Sequence, residues 1–350
     1  MKTLKEIADE LDVSMAAVSY VYNNKWKQNR INPALAEKIS KKLKKEKYRP
    51  NSLGLQLKTK KTRTIGIVLG DLTRTFNLNI LSGIEKVLTE KGYFSLVCSS
   101  NLGRLEKKQL EILSDRNIDG IIFSPHKNGR TTFDTVKELI KDRLPVVLVD
   151  NYLPEVNMDF VVSDNYLGTY QAINYLIKSG RRKIAYMGSS KHLTALDERF
   201  RGYEDALKDE GIPLNRKLLW KKTTKFQNVY SAMKEMFSEE KPDALFVESL
   251  HYFKEGFRFF LENGHKVPDD ITLTGFDSVD LNLSEIQEVD LPSIVRQPIP
   301  FVEQRGTEIG EIAAGIILDR ISGKKKEPSQ IFLKPELKFF NGKEHNGKRI

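Results

Sequence analysis

The hydrophobic positions near the amino terminus predict three short amphipathic helices. Apolar residues at positions 4, 7, 8 and 11 have helical spacing, and Thr3 begins a Thr-x-x-Glu capping box in front of them. Ser14 is placed to cap a second helix that ends at Tyr22, and Asn32-Pro33 supplies the start of a third. Helices this short bury little apolar surface alone, so we expect them to pack into one unit.

Beyond residue 63 the pattern changes to short apolar runs that alternate with amphipathic helices. Runs rich in Val and Ile predict buried parallel strands, and their alternation with helices predicts doubly wound α/β units. The first series is TIGIVL, YFSLVC, GIIFSP and PVVLVD, and the second is FVVSD, KIAYMG, ALFVES and ITLTGF. The predicted fold class is therefore α/β, with a helical amino-terminal domain and two doubly wound parallel-sheet subdomains.

The second predicted helix has two different faces. Val18, Val21 and Tyr22 share the side that is expected to pack inward, whereas the other side is small or uncharged. A three-helix unit whose second helix keeps one face free has helix-turn-helix geometry, in which that helix enters the major groove of DNA. A small helical dimerisation module is the alternative. The candidate DNA contacts are this face and the nearby cap residues: Thr3, Ser14, Met15, Ala16, Ser19, Tyr20 and Asn23.

The net positive charge of the chain is confined to its first fifth. The formal net charge is +10, and residues 1–63 contain 16 Lys and Arg against 6 Asp and Glu, which leaves 41 of each sign in the remainder. A nucleic-acid-binding arm on a neutral body has this distribution, and so does a lysine-rich solvated face.

Several classes of protein are not indicated by the sequence. No run of ~18 apolar residues predicts a membrane span, and the charged first residues do not fit a signal peptide, so we expect a cytoplasmic protein. Cys98 is the single cysteine, and the five histidines have no metal-ligand spacing. Because no phosphate-binding loop, dinucleotide fingerprint or nucleophile elbow is present, we predict no enzyme activity, metal or cofactor.

Residues 49–63 predict a short segment that is stable only when something holds it. The residue before Pro50 is extended, Asn51 can cap a helix that ends at Leu57, and basic residues follow. A helix of one and a half turns is too short to persist alone.

Five stretches resemble the lactose-repressor (LacI/GalR) family of bacterial transcription regulators. They are LKEIADELDVSMAAVSYVYNN, YRPNSLGLQLKTKKTRTIGI, DGIIFSP, RFRGY and GFD followed by PSIVRQPI. The resemblance implies that the short segment is a hinge helix that forms on operator DNA, with Leu57 as an apolar wedge in the minor groove. It adds Asn51, Leu53 and Leu57 to the candidate DNA contacts. Where the family usually has Arg in the recognition helix, this chain has Tyr20.

The resemblance also implies the domain boundaries and a periplasmic-binding-protein-like body. Residues 1–48 form the DNA-binding domain, residues 49–63 the hinge and linker, and residues 64–343 the effector-binding and dimerisation domain. Within the last, the implied subdomains are 64–162 plus 294–322, and 163–293 plus 323–343.

Polar residues at strand ends predict a ligand site in the cleft between the two α/β units. Ligands bind at the carboxyl ends of parallel strands, and carboxylates with an Arg fork suit a polyhydroxylated ligand. The candidate effector contacts are Asp71, Phe76, Ser124, Asp150, Arg199, Trp220 and Asp277. Asp150 and Asp277 can alternatively cap loops, Arg199 can join a surface ion pair, and Trp220 can pack in the core. Glu248, at the end of ALFVES, departs from the small polar pair that is usual in the family.

The sequence thus predicts a ligand-responsive transcription regulator, a repressor, that binds double-stranded operator DNA as a homodimer and is not membrane-bound. The expected effector is a sugar or a sugar derivative such as a sugar phosphate. A solute-binding protein of a transport system is the alternative, but it would need a secretory signal and no basic head.

Overall fold

A computed structural model of the chain divides into two units, a head of Met1–Thr62 and a body of Arg63–Ile350. It describes residues 2–48, 61–101, 103–126, 130–221, 229–277, 298–324, 327–340, 344–345 and 348–349.

The head contains the three predicted helices, which share one small core. They are α1 (Leu4–Leu11), α2 (Met15–Tyr22) and α3 (Pro33–Lys45). Tyr22 was expected to face inward, but it is 41% exposed, and its ring packs edge-on against that of Tyr48. The buried core consists of Ile7, Ala8, Val18, Ile39 and Leu43.

The first lobe of the body is built on a six-stranded parallel sheet. Its strands are β1 (Thr64–Leu69), β2 (Phe94–Ser99), β3 (Gly120–Phe123), β4 (Val146–Val149), β5 (Asp159–Ser163) and β11 (Gln330–Leu333). They pair in the order β11-β5-β4-β3-β1-β2. One face is covered by α4 (Thr75–Glu90) and α11 (Gly306–Ile321), and the other by α5 (Glu106–Asp115) and α6 (Arg130–Lys141).

The second lobe has a four-stranded parallel sheet in the order β7-β6-β8-β9. These strands are β6 (Ile184–Gly188), β7 (Leu219–Lys221), which follows a 3-10 turn at Arg216–Leu218, β8 (Ala244–Val247) and β9 (Thr272–Gly275). One face packs on α7 (Asn165–Lys178) and α8 (Thr194–Asp209), and the other on α9 (Val229–Glu239) and α10 (Leu250–Glu262). Beside β9, β10 (Ile299–Glu303) pairs antiparallel with β12 (Glu336–Phe340), and β13 (Glu344–His345) pairs with β14 (Lys348–Arg349).

Two strands lie in a different lobe from the one expected, and a third was grouped with the wrong series of strands. The FVVSD strand, β5, was assigned to the second series, but it pairs with β4 in the first sheet. The QIFL strand, β11, was expected in the second lobe and pairs with β5, whereas β10 was expected in the first and lies beside β9. A buried apolar run has the same pattern in either sheet, so these assignments depend on long-range pairing that periodicity does not encode.

The β2 strand was predicted as a buried strand and is instead an exposed edge. Phe94 is 76% exposed, and Leu96 and Val97 are exposed at 38% and 39%. Among the strands that the structure describes, β2 pairs with β1 alone, and its outer side meets no further strand.

Helices α4 and α11 approach closely because glycines face the contact. A Cβ atom at Gly310 would lie 2.1 Å from the main-chain oxygen of Ile80, and one at Gly83 would lie 2.0 Å from that of Thr307. At Gly315, on the same α11, no neighbouring atom of the described residues lies within 4 Å of the equivalent position.

Gly310→Ala is therefore expected to lower the free energy of unfolding by about 1–3 kcal/mol, because the added methyl group forces the two helices apart. Gly315→Ala is the matched control, and it is expected to raise stability by about 0.5–1 kcal/mol through the helix propensity of alanine. Urea unfolding followed by circular dichroism measures both. Equal effects of the two substitutions would contradict the close contact.

Candidate functional site

The exposed face of α2 carries the predicted small and uncharged residues. Met15 is 56% exposed and Tyr20 is 38% exposed, while Val18, on the opposite side, is fully buried. Ala16 is exposed and Ser19 is half-buried. This helix therefore presents a free face that contains methyl groups, one hydroxyl group and one phenol.

The polar cap residues around α1 and α2 stabilise the helix ends. Thr3 and Glu6 form the reciprocal capping box, with the Glu6 carboxylate accepting from the Thr3 amide at 2.7 Å. The Ser14 hydroxyl oxygen accepts from a main-chain amide of α2 at 3.1 Å. Asn23 donates its side-chain amide to the main-chain oxygen of Ser19 at 2.8 Å. These bonds fix the angle at which the free face is presented.

Some lysines of the head stabilise its fold, and others are exposed. Lys2 and Lys42 both form ion pairs with Glu10 and Glu46, and these four residues connect the start of the head and α1 with α3. Hydrogen bonds from the two lysines lower the pKa of Glu10 to about 2. The basic side chains of the loop before α3 and of the outer face of α3 are exposed. They are Lys25, Lys27, Arg30, Lys38, Lys44 and Lys45. Asn51, Leu53 and Leu57 lie outside the described residues.

The body contains a cleft of about 320 Å³ between its two lobes. Its walls come from segments that follow the carboxyl ends of β2, β3, β4, β6, β8, β9 and β10 and from the first turns of α4, α8 and α10. Four predicted effector contacts line it: Phe76, Asp150, Arg199 and Asp277.

Arg199, in α8, forms the floor of the cleft. Its side chain is buried, its Nε donates to Asn165 Oδ1 at 2.8 Å, and its Nη1 donates to the main-chain oxygen of Glu248. The guanidinium carbon lies 3.6 Å from the centroid of the Phe276 ring. Burial lowers the pKa of Arg199, and the nearby charges of Asp277, Asp150 and Glu248 oppose that shift.

Two aspartates at strand ends surround this floor. Asp150 accepts from Ser124 Oγ at 3.2 Å and from Asn151 Nδ2 at 3.1 Å, and Asp277 accepts from Gln304 Nε2 at 2.5 Å. Both aspartates have left-handed backbones, with φ of 67° and 76°, a conformation that Asp tolerates better than most residues. Burial raises the pKa of Asp277.

Glu248 is the third carboxylate and is almost completely buried. It accepts from the main-chain amide of Ser189 and, at 3.3 Å, from the hydroxyl group of Tyr186. A Cβ atom at Gly188 would lie 2.1 Å from Glu248 Oε2, so any larger residue at this strand end would displace the Glu248 carboxylate. Burial raises the pKa of Glu248 to about 7, although the Ser189 amide and the Arg199 charge partly offset the effect.

Three predicted effector residues do not line the cleft but lie behind residues that do. Asp71 accepts from the main-chain amide of Thr73 at 2.9 Å, and Ser124 donates to Asp150. Trp220 is buried and meets Tyr252 edge-on, with ring centroids 5.8 Å apart. Tyr252, rather than Trp220, lines the cleft wall on the second lobe, as Phe76 does on the first.

Several charged and polar residues of the cleft were not predicted from the sequence. They lie in loops after strand ends, just before a helix or in its first turn, and this position is the only sequence signal that points to them. They are Arg74, Arg104, His126, Lys191, Tyr252 and Gln304. The main-chain amide of His126 donates to the buried Glu106 carboxylate at 2.9 Å, which fixes the loop after β3.

Comparison with known proteins relates this architecture to one family. Residues 62–342 match the family model described as periplasmic binding proteins and sugar binding domain of LacI family. The HTH-type transcriptional regulator RegA of Clostridium acetobutylicum is 31% identical over 93% of this chain and 94% of its own length. The HTH-type transcriptional regulator DegA of Bacillus subtilis is 26% identical over 96% of each chain.

Solved structures share the fold along nearly the whole chain. A lac repressor dimer bound to operator and an anti-inducer superposes with a TM-score of 0.77 at 19% identity, covering 97% of this chain and 99% of the other. The transcriptional regulator CelR in complex with cellobiose gives 0.68 at 23% identity, covering 97% and 98%.

This chain belongs to the LacI family of HTH-type transcriptional regulators. It is a DNA-binding regulator whose body has the fold of an effector-binding domain. None of the helices in the described part of the chain is long and apolar enough to span a bilayer.

The raised pKa of Glu248 makes the stability of the body depend on pH. The folded state binds the proton more tightly than the unfolded chain, so stability is highest below the ordinary Glu pKa and falls as the pH rises toward about 7. We expect the urea midpoint to decrease between pH 5 and 8, and Glu248→Gln to remove most of that decrease. Glu90→Gln, at the exposed end of α4, is the control. A Glu248→Gln profile that parallels the parent would be inconsistent with a buried titrating carboxyl.

Proposed function

We propose that this regulator binds a pseudo-palindromic operator as a homodimer and that a sugar or sugar derivative in the cleft controls its affinity for DNA. The observation that carries the effector site is the buried Arg199 between three carboxylates at the ends of parallel strands. Such a floor offers hydrogen-bond acceptors and a planar fork of donors to a polyhydroxylated ligand.

The free face of α2 is proposed to read the major groove. Met15 and Ala16 supply methyl groups for contact with thymine, and Ser19 and Tyr20 supply hydroxyl groups for base edges. The exposed lysines of the head are proposed to neutralise phosphates, which positions the helix without selecting sequence.

Tyr20→Ala is expected to weaken binding to a duplex selected by the parent protein by about tenfold, since a base contact contributes about 1–3 kcal/mol. The dependence of affinity on salt should keep its slope, because the phosphate contacts remain. Tyr170→Ala, which alters a partly exposed tyrosine of the body, is the control. Fluorescence anisotropy over a salt series measures both effects. An unchanged affinity and base preference in Tyr20→Ala would refute the proposed role.

Effector control is proposed to act by a shift between two arrangements of the lobes. The cleft is lined by both lobes, so a ligand that contacts both favours one arrangement. By linkage, DNA that prefers the other arrangement must weaken ligand binding by the same factor. The cellobiose in the CelR complex supports a sugar-type ligand for a cleft of this kind.

The homodimer is proposed to form through the exposed β2 edge. Phe94, Leu96 and Val97 present apolar surface there, and Leu78 of α4 and Ile112 of α5 add exposed apolar side chains on the helices that flank it. An apolar patch of this kind marks an interaction surface. A two-fold interface pairs the same patch on both subunits and gives the symmetry that a palindromic operator requires.

Phe94→Asp is expected to raise the dimer dissociation constant by at least tenfold, because the interface would bury unpaired charges. Ile140→Asp is the matched control, since Ile140 is an exposed apolar residue of α6, which packs beside β4, three strands away from β2. Sedimentation velocity of the full chain measures the dimer fraction. If Phe94→Asp remained as dimeric as Ile140→Asp, another surface would have to form the dimer.

A further inference from the structure

We infer that the effector is an anionic sugar, which places its hydroxyl groups on the cleft floor and its carboxylate or phosphate group against a cationic rim formed by Arg74 and Arg104. This inference rests on the effector role proposed above for the cleft. It specifies a charge that the proposed function leaves open.

The floor of the cleft requires a ligand that donates hydrogen bonds. Asp150 and Asp277 are acceptors, and the side-chain donors that reach them from the described residues, two at Asp150 and one at Asp277, leave each carboxylate able to accept further hydrogen bonds. Gln304 is 92% buried and lines the cleft; its Nε2 donates to Asp277, but its Oε1 has no hydrogen-bond partner in the described part of the chain. A buried unpaired oxygen costs free energy until a donor reaches it, and a sugar hydroxyl group is such a donor.

The rim of the cleft requires the opposite chemistry. Arg74 immediately precedes α4 and Arg104 lies two residues before α5, and both side chains are exposed and line the cleft. Neither helix start receives a side-chain cap hydrogen bond from the residues that the structure describes. The first main-chain amides of these helices add donors and partial positive charge to the charge of the two arginines.

The two rim arginines are weakly engaged. The carboxylate nearest to Arg74 among the described residues is Asp71, at 3.8 Å, and it already accepts from the amide and hydroxyl groups of Thr73. Arg104 has no ion pair within the described ranges. The charge of Arg74 also favours the ionised form of Asp277 at the floor and so acts into the cleft.

Together, the floor and the rim favour a ligand that has hydroxyl groups at one end and an anionic group at the other. A neutral sugar satisfies the floor and leaves the rim cations with water, whereas a sugar acid or sugar phosphate satisfies both. Guanidinium groups bind carboxylate and phosphate groups through paired, charge-assisted hydrogen bonds. Lys191 lines the same cleft from the second lobe.

The test is calorimetric titration of the full chain with matched probes. The probes are D-glucose, D-galactose and D-ribose, the aldonic acid and terminal phosphate of each, and inorganic phosphate. We expect at least one acid or phosphate to bind at least tenfold more tightly than its neutral parent. The acids and the phosphates are separate arms, so the preferred anion identifies the group that the rim accepts.

Substitutions of the two rim arginines test whether they cause the preference for anionic sugars. Arg104→Gln and Arg74→Gln are each expected to reduce the anionic preference to less than threefold, and Arg104→Lys to retain part of it. Arg116→Gln is the matched control, because Arg116 lies at the opposite end of α5, about 15 Å from its start. It should keep the full preference. Thermal unfolding without ligand verifies that every variant is folded.

The inference is overturned if neutral parents bind as tightly as their acids and phosphates, if the preference survives in both Gln variants, or if neither an anionic sugar nor inorganic phosphate binds. Failure of the proposed function has a different signature. In that case a ligand binds in the cleft, neutral or anionic, and the affinity for a selected duplex does not change.

Discussion

The body depends on the burial of one guanidinium group. A buried charge is tolerated only where opposite charge and hydrogen-bond acceptors surround it. Arg199 meets that condition through Asn165 at the start of α7, the main chain at the end of β8, and the ring of Phe276 beyond β9. These contacts join three segments of the second lobe at the cleft floor. The need to balance this charge explains why carboxylates gather where a ligand would sit.

Sequence patterning was sufficient for local structure and insufficient for lobe membership. The capping box of Thr3 and the cap at Ser14 are encoded within four residues, and both helix starts are found where predicted. The position of β5 depends instead on Asp159, whose carboxylate binds Arg320 at 2.6 Å, 161 residues away. No periodicity reports a contact over that distance. The exposure of Phe94 likewise follows from strand order, which a single apolar run does not reveal.

The candidate site was predictable to the extent that it follows topology. Asp150 and Asp277 follow parallel strands directly, and such ends meet at one edge of a sheet. The rim residues lie in loops, where no periodicity operates. Glu248 was recognisable as a departure from the family, but its burial was not, because it depends on packing against Gly188 and Tyr186. Trp220, by contrast, was predicted to contact the effector, but its ring packs against Tyr252 and does not line the cleft wall.

Charge and ligand chemistry are divided between the two units: the head carries nearly all of the net positive charge, and the body carries the cleft. The most direct test of this division compares the full chain with residues 63–350 alone, by anisotropy on a duplex selected by the full chain. We expect circular dichroism to show that the shortened chain is folded, and anisotropy to show that it no longer binds DNA sequence-specifically. Retention of that binding within about threefold, a difference of less than 1 kcal/mol, would contradict this expectation.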